Sequence, residues 1–158
     1  MRTLQKPARI LIIDDDENIR KVIQTILEDE GYHVETAETA MKGIEKTEVS
    51  IFNLALIDVR LPDMEGIELL TKLHDTKPKM RKIIVTGYPT LQNAISAVNE
   101  GADAYVLKPF DVEKMLVTIK EQLQKQAEEK EYSEEKIAEF IETRVKELDT
   151  EDLTSLTP

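Results

Sequence analysis

Five side chains able to act together chemically stand at the ends of short apolar runs. Asp14 and Asp15 follow residues 10–13, Asp58 follows 54–57, Thr86 follows 83–85, and Lys108 follows 105–107. Carboxylates forced into one pocket ionise only at a cost that a cation relieves. All-oxygen donors on short loops suit a hard ion, Mg²⁺ above all, with waters completing its shell. Carboxylates with Mg²⁺, a hydroxyl and an ammonium form a set suited to holding a phosphoryl group. Asp58 stands alone at its run's end and is the natural acceptor, able to form an acyl phosphate. No glycine-rich phosphate loop, GxGxxG or Ser–His–Asp set accompanies these residues. The absence of cysteine excludes thiolate catalysis, iron–sulfur clusters and cysteine zinc sites.

The elements that must position these groups alternate. Residues 10–13 are a β-branched run, and Ile19, Val22, Ile23, Ile26 and Leu27 then recur at helical spacing up to Gly31, a helix C-cap. Asp16 reads as that helix's N-cap. Residues 33–37 form a half-polar strand, and 39–47 a weaker helix around Met41 and Ile44, the methionines reading as core fillers or termini. After the run at 54–57, Leu69, Leu70 and Leu73 predict a third helix. After 83–85, Leu91, Ala94, Ile95 and Val98 predict a fourth, closed by Gly101. After 105–107, Val112, Met115, Leu116, Ile119 and Leu123 predict a fifth, capped by Asp111. Five strand–helix units imply parallel strands with right-handed crossovers. The all-apolar runs must be buried on both faces and lie centrally, with 33–37 at an edge. The expected fold is a doubly wound, five-stranded parallel sheet, flavodoxin-like in its order 2-1-3-4-5. Ligands of such sheets bind at the strands' carboxyl ends beside the switch point, where the acids stand.

Charge divides the chain. Its net charge is −11, a surface that repels phosphate backbones and predicts no nucleic-acid partner. Residues 1–125 hold 17 basic and 21 acidic residues, a balance of −4, whereas 126–158 hold 4 and 11, a balance of −7. A globular domain over 8–125 and an acidic helical extension over 126–158 are therefore expected. In the extension Ser133 reads as an N-cap for a helix over about 133–149, with the end from 150 frayed. Ile137, Phe140, Ile141, Val145 and Leu148 form one apolar stripe on it, fit for docking or for a homodimer. No apolar run approaches the roughly 20 residues of a membrane helix, so no membrane partner is expected. Residues 1–8 lack the apolar core of a secretory signal, and a cytoplasmic location is expected. His33 and His74 read as solvent-facing.

Taken in order, Ile13-Asp14-Asp15, Leu56-Ile57-Asp58 with Leu61-Pro62 and Gly66, Val85-Thr86-Gly87, and Leu107-Lys108-Pro109-Phe110 resemble the receiver domain of two-component response regulators. The steps from Asp15 to Asp58, Thr86 and Lys108 are 43, 28 and 22 residues, and the resemblance covers roughly 8–125. It is similar to stand-alone chemotaxis-type receivers. The resemblance implies that Asp58 takes a phosphoryl group from a sensor histidine kinase and passes the signal to a downstream protein. It implies Mg²⁺ held by Asp15, Asp58 and the backbone carbonyl of Arg60, with Asp14 acting through water. It further implies Lys108 as the phosphate-binding lysine behind a cis Lys108–Pro109 bond, and Thr86 with Tyr105 as a switch pair.

The chain departs from the family pattern in places. Tyr88, two places after the threonine, and Arg60, two after the acceptor, flank the route of water to an acyl phosphate. Ala104 and Thr118 replace the acid and arginine used by receivers that dimerise ahead of winged-helix domains. Two other readings start from the same residues. Asp14 and Asp16 make the D-x-D of a Mg²⁺-dependent aspartyl-phosphate phosphatase, but such enzymes carry a further acidic strand end after the lysine. An interaction module that is never phosphorylated would not need the acceptor, metal and lysine set. A phosphoacceptor with its own transfer and dephosphorylation chemistry, not a classical enzyme, is the expectation.

Overall fold

The computed structural model describes residues 6–155 except 77, 88, 89 and 110. Five parallel strands, β1 (Arg9–Ile13), β2 (His33–Ala37), β3 (Leu54–Asp58), β4 (Arg81–Thr86) and β5 (Ala104–Leu107), form one sheet in the order β2-β1-β3-β4-β5. Between and after them run α1 (Glu17–Asp29), α2 (Ala40–Val49), α3 (Gly66–Leu69), α4 (Leu91–Asn99) and α5 (Val112–Ser155). The apolar runs in β1, β3 and β4 are buried on both faces. Alternate residues feed two cores, Leu11, Ile13, Ala55, Ile57 and Ile84 on one face and Ile10, Ile12, Leu54, Leu56 and Ile83 on the other. The register Ile13↔Ile57 and Asp58↔Val85 brings the ends of β1, β3 and β4 level.

Caps end the helices where the sequence places them. Asp16 Oδ1 accepts from the amides of Asn18 (2.9 Å) and Ile19 (3.2 Å). After α1, Gly31 at φ 93° lets the Tyr32 amide reach the Leu27 carbonyl (3.1 Å) and its own amide the Glu28 carbonyl (2.9 Å), a Schellman closure. Gly101 closes α4 the same way.

Five expectations are corrected. The third helix is one turn long: beyond Leu69 the Leu70 and Lys72 amides bond three residues back and the Thr71 hydroxyl takes the Glu68 carbonyl, tightening the chain out of the α-helix. In α4 the small Ala97 faces the sheet, which leaves Ile95 and Val98 exposed. In α2 Ile44 packs against the core as expected, but the fully inward positions are Ala40, Gly43 and Thr47, the helix lying so close that a Cβ at Gly43 would stand 2.5 Å from the Ile13 side chain; Met41 points to water. Ser133 caps nothing. It lies inside α5, where Ala, Glu, Lys and Gln dominate residues 120–136 and no Gly or Pro interrupts the helix. The stretch from 150, expected to fray, is helical to Ser155, and 156–158 lie outside the described residues.

The chain divides into two compact units, Met1–Gln126 and Ala127–Pro158. In the second, Ile137, Phe140, Ile141, Val145 and Leu148 are each between 46% and 71% exposed.

Candidate functional site

Each strand end delivers a different group to the rim. β1 ends at Asp14, which is buried, and Asp15, which is exposed. The Asp14 carboxylate takes the Asp16 amide (2.9 Å) and the Lys108 ammonium (3.0 Å), and the Asp14 carbonyl takes the Arg20 guanidinium (2.7 Å). β3 ends at Asp58, whose Oδ1 lies 3.5 Å from Lys108 Nζ and accepts a long bond from the Arg60 amide (3.4 Å). Gly66 is required beneath it: a Cβ there would stand 2.1 Å from the Asp58 carbonyl oxygen. β4 ends at Thr86, 1% exposed. Lys108 follows β5, its amide bonded to the Thr86 carbonyl at 2.7 Å, and the Lys108–Pro109 peptide is cis.

Charge crowding follows from this geometry. One oxygen each of Asp14, Asp15 and Asp58 lies within 4.8 Å of the others. Burial, and then the Asp14 charge, push the Asp58 carboxyl above its usual range, against the pull of Lys108. Burial alone would lower the Lys108 ammonium, but its hydrogen bond to Asp14 and the two carboxylate charges hold it above its usual value. Three carboxylates crowd together beside the Lys108 ammonium, and their hard oxygen donors fit a divalent cation such as Mg²⁺.

Thr86 and Tyr105 project from one face of the sheet, since Ile84 pairs with Tyr105 and Thr86 stands two residues further along β4. The Tyr105 ring already packs against the core, and its buried hydroxyl has no hydrogen-bond partner among the described residues. The structure thus brings together Asp14, Asp15, Asp58, Thr86 and Lys108 and places Arg60 and Tyr105 beside them; Tyr88 and Phe110 lie outside the described residues. Sequence reasoning missed Arg20, a polar residue with no periodic or motif signal. His33 and His74 are exposed, as expected.

A doubly wound parallel sheet with an acidic pair, a lone aspartate, a hydroxyl and a lysine on successive strand ends defines a class of signalling domain. The family model of the response regulator receiver domain matches residues 10–120, and the chain belongs to that family. It is therefore a receiver domain of the two-component response regulators. The receiver domain protein (CheY-like) from Methanospirillum hungatei JF-1 is similar at 52% identity and a TM-score of 0.75, over 78% of this chain and 99% of that one. The transcriptional regulatory protein ZraR of Klebsiella oxytoca is 34% identical over 72% of this chain and 26% of its own length. The uncharacterized transcriptional regulatory protein YkoG of Bacillus subtilis is 34% identical over 72% of this chain and 50% of its length. The chain thus spans a quarter to a half of these curated relatives. Among the described residues no strand follows β5, where the phosphatase reading requires one more acidic strand end, and no helix is long and apolar enough to cross a membrane.

Proposed function

We propose that Asp58 accepts a phosphoryl group from a phosphohistidine on a sensor histidine kinase, and that the phosphorylated chain engages a downstream protein in the cytoplasm. The observation that carries this reading is the Asp58 carboxylate 3.5 Å from the Lys108 ammonium, with Asp14 and Asp15 oxygens alongside. An Asp58 oxygen attacks phosphorus, the P–N bond breaks, and the imidazole keeps the electron pair and takes up a proton. Lys108 steadies the phosphoryl oxygens through the transfer. Asp15, Asp58 and the Arg60 carbonyl would hold Mg²⁺, with Asp14 acting through water, and the ion supplies positive charge against the phosphoryl oxygens. The Thr86 hydroxyl then turns toward the phosphoryl group. Tyr105, already packed inward, is held there more firmly, so the switch shifts a population.

Intact-mass spectrometry after incubation with Mg²⁺ and a small acyl phosphate tests the reading. One phosphoryl group is expected on the wild type and none on Asp58→Asn, with Lys108→Ala slowed on the order of 10²-fold. Equal labelling of Asp58→Asn overturns the assignment.

The stripe on the extension is inferred to meet its counterpart on a second copy. Five large apolar side chains at least 46% exposed on one helical stripe support a pairing surface.

A further inference from the structure

The loop between Asp58 and Gly66 carries the Arg60 carbonyl and is closed at its base. The Gly66 amide donates to the Val59 carbonyl (2.7 Å), and Arg60 and Glu65 form an antiparallel bridge. Its tip is held differently. Asp63 Oδ1 accepts the Ala40 amide and Oδ2 the Met41 amide, both at 2.9 Å, so one carboxylate from the loop satisfies two of the first amides of α2. The hydroxyl of Thr39, the helix's own N-cap, accepts the Lys42 amide (3.1 Å), and its carbonyl the Gly43 amide (3.1 Å). A charged acceptor of two amides at a helix start is a strong tether.

What the tether joins gives it a role. Ala40 is fully buried and the Gly43 contact with Ile13 seats α2 directly on β1. Three residues before Ala40, the Ala37 carbonyl accepts the Asp14 amide at 3.1 Å. A continuous path therefore runs from Asp14 through Ala37, the start of α2 and Asp63 to the loop bearing Arg60. It bridges the two halves of the acidic site, one on β1 and one on β3.

We infer that Asp63 is a positioning residue for the acidic site, a strut that sets the separation between the Asp14–Asp15 strand end and the Asp58–Arg60 strand end. The inference rests on the proposed Mg²⁺ site but concerns a residue outside its ligand set. Supports of this kind act on affinity by fixing the geometry of the ligands.

Calorimetric titration of Mg²⁺ into the metal-free full chain tests it, alongside hydrogen exchange of the Ala40 and Met41 amides. Asp63→Ala should weaken Mg²⁺ binding about tenfold. Asp63→Asn, which keeps an oxygen for one of the two amides, should fall between. Thr39→Ala removes the other cap of the same helix and is the control: it should speed exchange at the Lys42 amide and leave Mg²⁺ affinity within about twofold. Unchanged affinity in Asp63→Ala, or equal losses in Asp63→Ala and Thr39→Ala, overturns the strut. Wild type that takes up no Mg²⁺ overturns the metal reading and the strut with it.

Discussion

Asp58 carries its negative charge at a cost, one that a cation bound beside it would relieve. Burial and the neighbouring Asp14 raise its carboxyl above the ordinary range, so the folded chain holds this proton more tightly than the unfolded chain does. The sign of the linkage follows. The contribution of this group to stability is greatest below the ordinary carboxyl range. It falls as pH rises from there through the raised folded value, and it stays reduced at neutral pH. Asp58→Asn removes the charge while keeping the shape. In metal-free buffer at pH 7 the variant should be more stable than the wild type, and its stability should decline less between mildly acidic and neutral pH. Mg²⁺ binding to the folded chain alone should raise the wild-type melting temperature and leave that of Asp58→Asn nearly unmoved. Calorimetric melts across pH, with and without Mg²⁺, measure all of this. A variant less stable than wild type at pH 7 would show that the Asp58 contacts to Lys108 and Arg60 outweigh the crowding.

At the scale of elements, α5 is held to the sheet by amides as well as by apolar packing. Gln126 is buried, and its Nε2 donates to the carbonyls of Asn53 and Lys79 (2.9 Å each) while its Oε1 accepts from Asn53 Nδ2 (3.1 Å). Asn53 Oδ1 in turn accepts the Arg9 amide that opens β1 (2.8 Å). Gln126→Leu keeps the volume but strands the Lys79 carbonyl and the Asn53 amide, and chemical denaturation should show a loss of about 2–3 kcal/mol. A loss below about 0.5 kcal/mol would mean that water replaces these bonds. Gln126 also marks where the sequence stops being legible. The strand order, the central runs, the Asp16 cap and the glycine closures could be read because each is a local rule acting on neighbouring residues. The rim of the candidate site could be read for the same reason, since its five groups stand at the ends of apolar runs. Long-range polar fits leave no local trace. Lys82 extends its stem through the core to place Nζ 2.8 Å from the Leu70 carbonyl, with burial lowering its pKa, yet it reads as a residue outside the 83–85 run. In α4, hydropathy favours Ile95 and Val98, while close approach to the sheet favours Ala97.

At the scale of the whole molecule, charge and apolar surface oppose each other in the residues beyond Gln126. Residues 126–158 carry a balance of −7, and the stripe of Ile137, Phe140, Ile141, Val145 and Leu148 lies open within that acidity. Complete burial of a large side chain contributes roughly 1.5–3 kcal/mol. Five half-exposed side chains from each of two copies would thus gain on the order of 10 kcal/mol. Association itself costs an estimated 4–15 kcal/mol, so the net affinity should be no tighter than roughly tens of micromolar. Repulsion between two acidic helices then decides whether pairs form at a given concentration. Its range shrinks from about 10 Å at 0.1 M salt to about 3 Å at 1 M, whereas the apolar gain is not screened. Self-association should therefore strengthen with salt, opposite to a pairing held by ion pairs. Sedimentation equilibrium of the full chain at low and high salt measures it. The dimer fraction should rise with salt for the wild type, while Ile141→Glu, which puts a charge in the middle of the stripe, should stay monomeric throughout. A wild type that is monomeric even at 1 M salt and high micromolar concentration would assign the stripe to another protein. Dimerisation that survives Ile141→Glu would assign it to a different surface.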